Sequence, residues 1–291
     1  MAPTTKTVPP AASSARPLAV AWHVRSASVP CHTHPLADVD DQLLALRSWT
    51  SNPGPKYPLS LAHVRALLCV LDELLRLPLA QAALSRSAGT ADSDGLLLDG
   101  FLVLADAFGM FLAALVALRQ HAAELRAAVR RPDSAKLASA ARAQRQAGRK
   151  LEQLAAAVAR EAGGGGMGGA HAEAAEVARA VAEAVNDTAA AAAAVFLEVG
   201  AVANAAAALA SPASASPKKS RLLPLSRSRQ RSVMGDGEER REGAALEKLQ
   251  ELEQCVRELE SESEKVFRSL VQTRVSLLNI HTRQHFSYSL V

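Results

Sequence analysis

The sequence predicts an all-α fold: an elongated multi-helix bundle with a C-terminal heptad, coiled-coil-like helix and a disordered N-terminal tail. Three observations predict it. Ala and Leu dominate while only 3% of residues are aromatic, so the core must be built from small side chains and ones unbranched at Cβ, which favour helices over strands. Apolar residues recur at steps of three and four along most of the chain, the period of one buried helix face. The opening residues 1–21 are Pro, Ala, Ser and Thr without any period, a composition that cannot bury enough surface to fold. With 291 residues and 49% apolar content, the remainder is long enough to enclose a sizeable core.

Residues 22–210 read as the helical bundle. The first helix follows Pro35, with Leu36, Val39, Leu43 and Leu46 on one face and Trp49 one step beyond, and Asn52-Pro53-Gly54-Pro55 stops it. Ser60 is the expected N-cap of the second, whose stripe is Leu61, Val64, Leu68, Leu71 and Leu75, with Pro78 as its boundary. A turn from Ser85 to Gly95 leads to a long apolar helix over Leu96–Leu118 that runs on toward Arg131. Pro132-Asp133-Ser134 restarts the chain as a basic helix, which ends at the Gly163–Gly169 spacer. An Ala-rich helix over His171–Leu209 follows.

Residues 211–243 are rich in Ser, Pro, Lys and Arg and read as a linker whose charged end borders on helix. Residues 244–291 carry the clearest pattern. Leu249, Leu252, Val256, Leu259, Val266, Leu270, Leu277 and Ile280 fit alternating steps of three and four, with Ser263 and Thr273 on the same seam. This heptad helix packs lengthwise on another helix. Packing within the bundle is the first expectation, and self-association through this helix stays open as the second.

Leu96–Leu118 is close to membrane-spanning length. Asp99 and Asp106 lie inside it, each costing roughly 2.5 to 3.5 kcal/mol near a bilayer centre, so a buried central helix is expected instead. Ala189–Ala210, with Glu198 and Asn204, is a weaker span still. The net charge of +4 is too mild to imply nucleic acid. Its distribution is uneven: Arg126, Arg130, Arg131, Lys136, Arg142, Arg145, Arg149 and Lys150 crowd one stretch, and Glu251, Glu253, Glu258, Glu260, Glu262 and Glu264 another. Such helices are expected to face each other or water, and nucleic acid is not an expected partner.

Cys31, Cys69 and Cys255 are odd in number and scattered, which fits a reducing compartment better than a disulfide framework or zinc site. The cytoplasm is the expected location, with nucleus, membrane surface and plastid left open. The acid-free first 37 residues resemble a transit peptide only superficially, and no apolar run follows the start as a secretory signal requires.

Several segments in order resemble one family. His23-Val24-Arg25-Ser26-Ala27-Ser28-Val29-Pro30, followed by His34-Pro35-Leu36 and Trp49, looks like its N-terminal signature. Leu71-Asp72-Glu73-Leu74-Leu75-Arg76-Leu77-Pro78, Leu97-Leu98-Asp99-Gly100 and Thr273-Arg274-Val275-Ser276-Leu277-Leu278-Asn279-Ile280 agree with it further along. The family is the plant-specific group of unknown-function domains related to the BYPASS-like proteins. The Ala-rich middle, the Gly run, and Ala27 and Val29 in place of bulkier aliphatics depart from its pattern without breaking a helical plan. The resemblance implies a role in plant organ growth, especially root and leaf development, with no known catalytic activity.

Two motifs bear on regulation. Arg25-Ser26-Ala27-Ser28-Val29-Pro30 has the Arg-Ser-x-Ser-x-Pro form of phosphopeptides that dock 14-3-3 proteins: Arg25 guides a basophilic kinase to Ser28, and Pro30 turns the peptide out of the reader's groove. An ordered entry segment with Ser28 bonded to backbone is the competing reading. Lys218, Lys219, Arg221, Arg227, Arg229 and Arg231 form a basic patch beside Ser232, a second candidate phosphosite. A solvated loop, a nuclear signal and an anionic-lipid patch all fit it.

Cys31, His32 and His34 lie between prolines in poor tetrahedral geometry, and His281 and His285 lack the intervening Glu of a zinc-protease helix, so neither set is expected to bind metal. The Gly163–Gly169 run lacks the Lys-Ser/Thr ending of a phosphate cradle, and no nucleophile–base pair emerges. The sequence therefore predicts a non-enzymatic adaptor or regulatory protein without a cofactor. Its alternative is a membrane-associated protein, peripheral through the basic linker or inserted through residues 96–118.

Overall fold

The computed structural model describes residues 35–52, 59–87, 91–131, 133–162, 172–211 and 230–288. Within them are seven helices and no strand: α1 (Pro35–Ser51), α2 (Ala62–Arg76), α3 (Pro78–Ser87), α4 (Ala91–Val129), α5 (Ser134–Ala162), α6 (Ala172–Ala210) and α7 (Gln230–Tyr288). The predicted all-α class is correct.

The four long helices form an up-down-up-down bundle. α4 packs against α5 and α7, and α6 against α5 and α7. Arg126 of α4 meets Glu253 of α7, and Arg119 meets Glu260, so these two run antiparallel. Gly148 of α5 faces Asn204 of α6 while Arg145 reaches Ser211, which makes that pair antiparallel too. α1 packs on α2 and α6, while α2 and α3 pack on both α6 and α7. At a rise of 1.5 Å per residue the 59-residue α7 is about 88 Å long, so it spans the bundle and still reaches the short helices.

The core has two textures. Between α4 and α6, Phe111 stacks on Phe196 with centroids 4.1 Å apart, and Phe108 meets Phe196 edge-on at 5.6 Å. Offset and edge-on pairing satisfies the ring quadrupoles beyond simple area burial. Between α5 and α6 the contact is made by glycine. A Cβ on Gly148 would lie 2.5 Å from Asn204 Oδ1, and one on Gly200 would lie 3.0 Å from the Gly148 carbonyl oxygen. Absence of side chains lets these two backbones approach closely, which an Ala-rich helix needs because it has little side-chain reach of its own.

Several elements differ from expectation. Ser85–Gly95, read as a turn, is helical on both sides: α3 runs to Ser87 and α4 starts at Ala91. Pro78 is a boundary, but it also opens α3, because proline at a first helical position forfeits only an amide that has no partner there. Leu77 before it is extended, and Gln81 of α3 donates from Nε2 to the Leu75 carbonyl at 3.0 Å, closing the end of α2. α7 begins at Gln230, well inside the 211–243 segment, since its Glu and Arg residues are good helix formers despite Gly235, Gly237 and Gly243. Asp133 caps α5 as the Pro-Asp-Ser restart implies: Oδ1 accepts from the amides of Ala135 and Lys136, and those bonds, with Lys136 foremost, hold its carboxyl below the usual range.

Candidate partner-binding faces

α7 is the organising element. Leu249, Leu252, Val256, Leu259, Val266, Leu270, Leu277 and Ile280 are all buried, so the heptad seam is filled from within the chain. Its two polar members are buried as well. Thr273 satisfies its hydroxyl by donating to the Ser269 carbonyl at 2.9 Å, whereas Ser263 Oγ has no partner.

Acids on the edges of α7 meet the neighbouring helices. Arg126 Nη1 lies 2.8 Å from Glu253 Oε2, and Arg119 Nη1 lies 2.7 Å from Glu260 Oε2. On the opposite edge Glu262 acts as a cap for α2: the Leu61 amide donates to Oε2 at 2.6 Å, and Ser60 Oγ donates to the same carboxylate at 3.3 Å. A negative charge at a helix N-terminus answers both its unpaired amides and its dipole. Ser60, the expected N-cap, lies one residue before the observed N-cap Leu61, because α2 begins at Ala62, and its Oγ accepts from the Ala62 amide at 3.1 Å. A third cross-helix cluster joins α1 to α6, where Arg47 lies 2.7 Å from Glu183 and 2.6 Å from Asp187. Its bond to Glu183 foremost raises the Arg47 pKa. Burial raises Asp187, while Glu183, though burial opposes it, is lowered by Arg47 and Arg179.

Other candidate residues are placed differently. Arg25, Ser26, Ser28 and Pro30, together with Cys31, His32 and His34, lie outside the described residues. So do Lys218, Lys219, Arg221, Arg227 and Arg229. Arg231 and Ser232 fall in the first turn of α7. Among the described residues no group of three His, Cys, Asp or Glu is arranged to hold a metal ion. The basic stretch and the acidic stretch meet only in part, because Arg126 finds Glu253 while the arginines of α5 reach no glutamate of α7.

The apolar α4, tested above as a span, buries Phe101, Leu104, Phe108, Phe111, Leu115 and Leu118 completely. Its other side stays in solvent, with Leu102 39% and Val116 51% exposed. A groove between α4 and α7 is lined by Leu112, Ala113, Val116 and Arg119 on one side and by Glu260 and Glu264 on the other. Steps of seven and four from Glu264 lead to Val271 and Val275, which are 40% and 42% exposed. A step of seven back from Gly109, which faces Phe267 of α7, leads to Leu102. The groove thus continues as an outward apolar row on both helices. Asp99 and Asp106, three and four residues from Leu102, are exposed beside it and form no ion pair among the described residues. The heptad pattern pointed to α7's inner seam; this outer row has no such signature, since isolated valines on a charged helix read as chance.

These features define an all-helical bundle whose chemistry lies on its faces and helix edges. The family model described as Protein BPS1 matches residues 60–280, and the chain belongs to that BYPASS-like plant family. The match includes three of the four resembling segments and leaves out the N-terminal one. Membership gives the protein a role connected with plant development, in a family that is regulatory and not a known enzyme family. No curated protein and no solved structure matches the chain.

Proposed function

We propose that this protein is a non-catalytic helical adaptor in plant root and leaf development, and that the α4–α7 outer row receives an amphipathic helix of a partner protein. The observation that carries this is the division of labour on α7. Its strong heptad seam is filled internally, while Val271 and Val275 join Leu102 and Val116 in a second, outward apolar row. Contiguous apolar surface in a helix–helix groove is how amphipathic helices are held. The unanswered carboxylates of Asp99 and Asp106 favour a partner helix flanked by Lys or Arg.

The double variant Leu102→Glu/Val271→Glu tests it in plants that lack the protein. Both sites are exposed, so its helix content and melting temperature should match the wild type while organ growth fails to recover. A photo-crosslinking residue at Val275 should trap one partner through a basic helical segment, whereas one at Arg86 on α3 should not. Full recovery of growth by the double variant would refute the reading.

The Arg-Ser-x-Ser-x-Pro spacing of residues 25–30 supports phosphoserine-dependent 14-3-3 docking as the regulated step of this adaptor. Replacing Ser28→Ala should then remove 14-3-3 proteins from pull-downs of plant extract, and unchanged recovery would count against it.

A further inference from the structure

Arg65, Arg86, Arg257 and Arg274 find no acid among the described residues, but six other arginines do: Arg47, Arg119 and Arg126 across helices, and Arg76, Arg179 and Arg268 within them. On α5 none does. Arg142, Arg149, Lys150 and Arg160 are exposed and form no ion pair among the described residues, Arg142 and Arg160 donating from Nε to the carbonyls of Ala138 and Ala156 in their own helix, and Arg145 donates to the Ser211 hydroxyl. Lys136 alone reaches an acid, Asp133 at 3.4 Å. Just before α5, Arg130 and Arg131 are exposed and equally unanswered. The two acids of α5, Glu152 and Glu161, do not pair with these cations; Glu152 instead accepts from Asn204 Nδ2 at 2.9 Å.

Arg142, Arg149 and Arg160 stand seven and eleven residues apart, close to two and three whole turns, so they form one line about 27 Å long. The positions between them on that line, Gln146 and Gln153, are exposed and polar. Lys150 stands to one side of the line and Arg145 to the other. This is a broad, flat cationic surface, not a slot. The groove nearest to it, between α4 and α5, is lined by four alanines and Ser139 with Glu124, Arg131 and Lys136, so it has no cluster of cations deep enough to hold an acidic peptide in place of the open face. α5 has no aromatic side chain on which a base could stack, as single-stranded nucleic acid binding needs. What matches a flat array of unpaired guanidinium groups is a flat array of phosphates.

We infer that the outer face of α5, centred on Arg142, Arg149 and Arg160, docks the protein on the anionic headgroups of a phospholipid bilayer. Such attachment needs no inserted segment, because basic side chains near an anionic leaflet add their attractions and lose them again in salt. Arg145 and Arg241 both bond Ser211 at the end of α6, and Arg241 adds a further cation there; in the sequence that follows, residues 212–229 include Lys218, Lys219, Arg221, Arg227 and Arg229 and no acid. That segment is not part of the site. The inference is independent of the α4–α7 docking row.

Co-sedimentation of the full-length protein with vesicles tests it. Vesicles of phosphatidylcholine with roughly 30% phosphatidylserine should retain the protein at about 0.1 M NaCl and release it at about 0.5 M, while pure phosphatidylcholine should not retain it. The variant Arg142→Glu/Arg149→Glu/Arg160→Glu should bind at least about tenfold more weakly, and the milder Arg142→Gln/Arg149→Gln/Arg160→Gln should fall between. A control with the same change in net charge elsewhere, Arg65→Glu/Arg86→Glu/Arg257→Glu, should bind within about twofold of wild type. Equal loss in both glutamate variants, retention on neutral vesicles, or displacement from the vesicles by an oligonucleotide of matched charge would each overturn the inference.

Discussion

α4 and α7 are held apart by Leu, Phe and Val side chains and tied at the edge by Arg119–Glu260 and Arg126–Glu253, whereas α5 and α6 meet almost backbone to backbone at Gly148 and Gly200. Both pairs are antiparallel and both exclude water. The first gains its stability from large buried side chains, each removing a wide apolar area. The second gains it from many short dispersion contacts, which fall away quickly if the helices separate. The two pairs should therefore fail in opposite ways: the first to lost volume, the second to added volume.

The largest effect is expected at the aromatic cluster. Phe111 of α4 is fully buried and stacks on Phe196 of α6, a contact of large side chains like that of α4 with α7, so Phe111→Ala should cost about 3–5 kcal/mol, read as a lowered midpoint in denaturant unfolding. Truncation of a buried small side chain of α6, Ala203→Gly, removes one methyl and should cost only about 1 kcal/mol, mainly through helix propensity. Similar losses at both sites would erase the distinction.

Adding volume reverses the ranking. Gly148→Ala places a Cβ on Asn204 Oδ1, so the amide must swing away from Glu152, and the cost should be about 1–3 kcal/mol. The rescue is specific: in Gly148→Ala/Asn204→Ala the clash is gone, and stability should return to within about 1 kcal/mol of the Asn204→Ala parent. Gly200→Ala is harder to relieve, because its Cβ would meet a carbonyl oxygen of the backbone, and no single partner substitution should restore it.

What the sequence disclosed follows the same division. The stripes Val39-Leu43-Leu46 of α1 and Leu61-Val64-Leu68-Leu71-Leu75 of α2 are buried as their spacing requires, and so is the α7 seam, because large apolar residues announce their own period. α3 was missed, since Pro78 reads equally as a stop and as a first turn. The missing Cβ of Gly100 leaves room for Val185 of α6, a close approach invisible without the neighbour's register. The cap from Glu262 to Leu61 and the α1–α6 cluster at Arg47 lie beyond any local pattern, because each depends on where two distant helices cross. The outer row at Leu102 and Val271 was hidden for the same reason.

The α6–α7 boundary supplies a smaller, pH-dependent effect. Cys255 is buried, and its thiol is pushed up to about 11, by burial first and then by Glu258 and Glu198. Below pH 9 both folded and unfolded thiols keep their proton and nothing changes. Above it the unfolded chain loses the proton first, so folding must take one up, and stability falls as pH rises until the folded thiol also ionises. A loss on the order of 1–2 kcal/mol between pH 9 and 11 is expected, and Cys255→Ala should flatten that part of the profile. Exposed Cys69 should react with a thiol reagent at neutral pH while Cys255 waits for unfolding. An unchanged alkaline slope in Cys255→Ala would remove the thiol as its source.

The smallest effect concerns the edge pairs that distinguish α4–α7 from α5–α6. Glu253 is 16% exposed and Arg126 is 37% exposed, so the two partners are not equivalent when orphaned. Arg126→Ala leaves a carboxylate half out of water, whereas Glu253→Ala leaves a guanidinium that water still reaches. The first substitution should therefore cost more than the second, and a double-mutant cycle should give a coupling of roughly 0.2–1 kcal/mol that fades in 1 M salt. If the coupling is larger, these bridges stabilise the fold; at the expected size they chiefly set the register in which α7 lies on α4, and with it the alignment of the outer apolar row. The two roles separate experimentally, because a register shift would move a photo-crosslink from Val275 to a different residue of α4 while leaving the melting temperature almost unchanged.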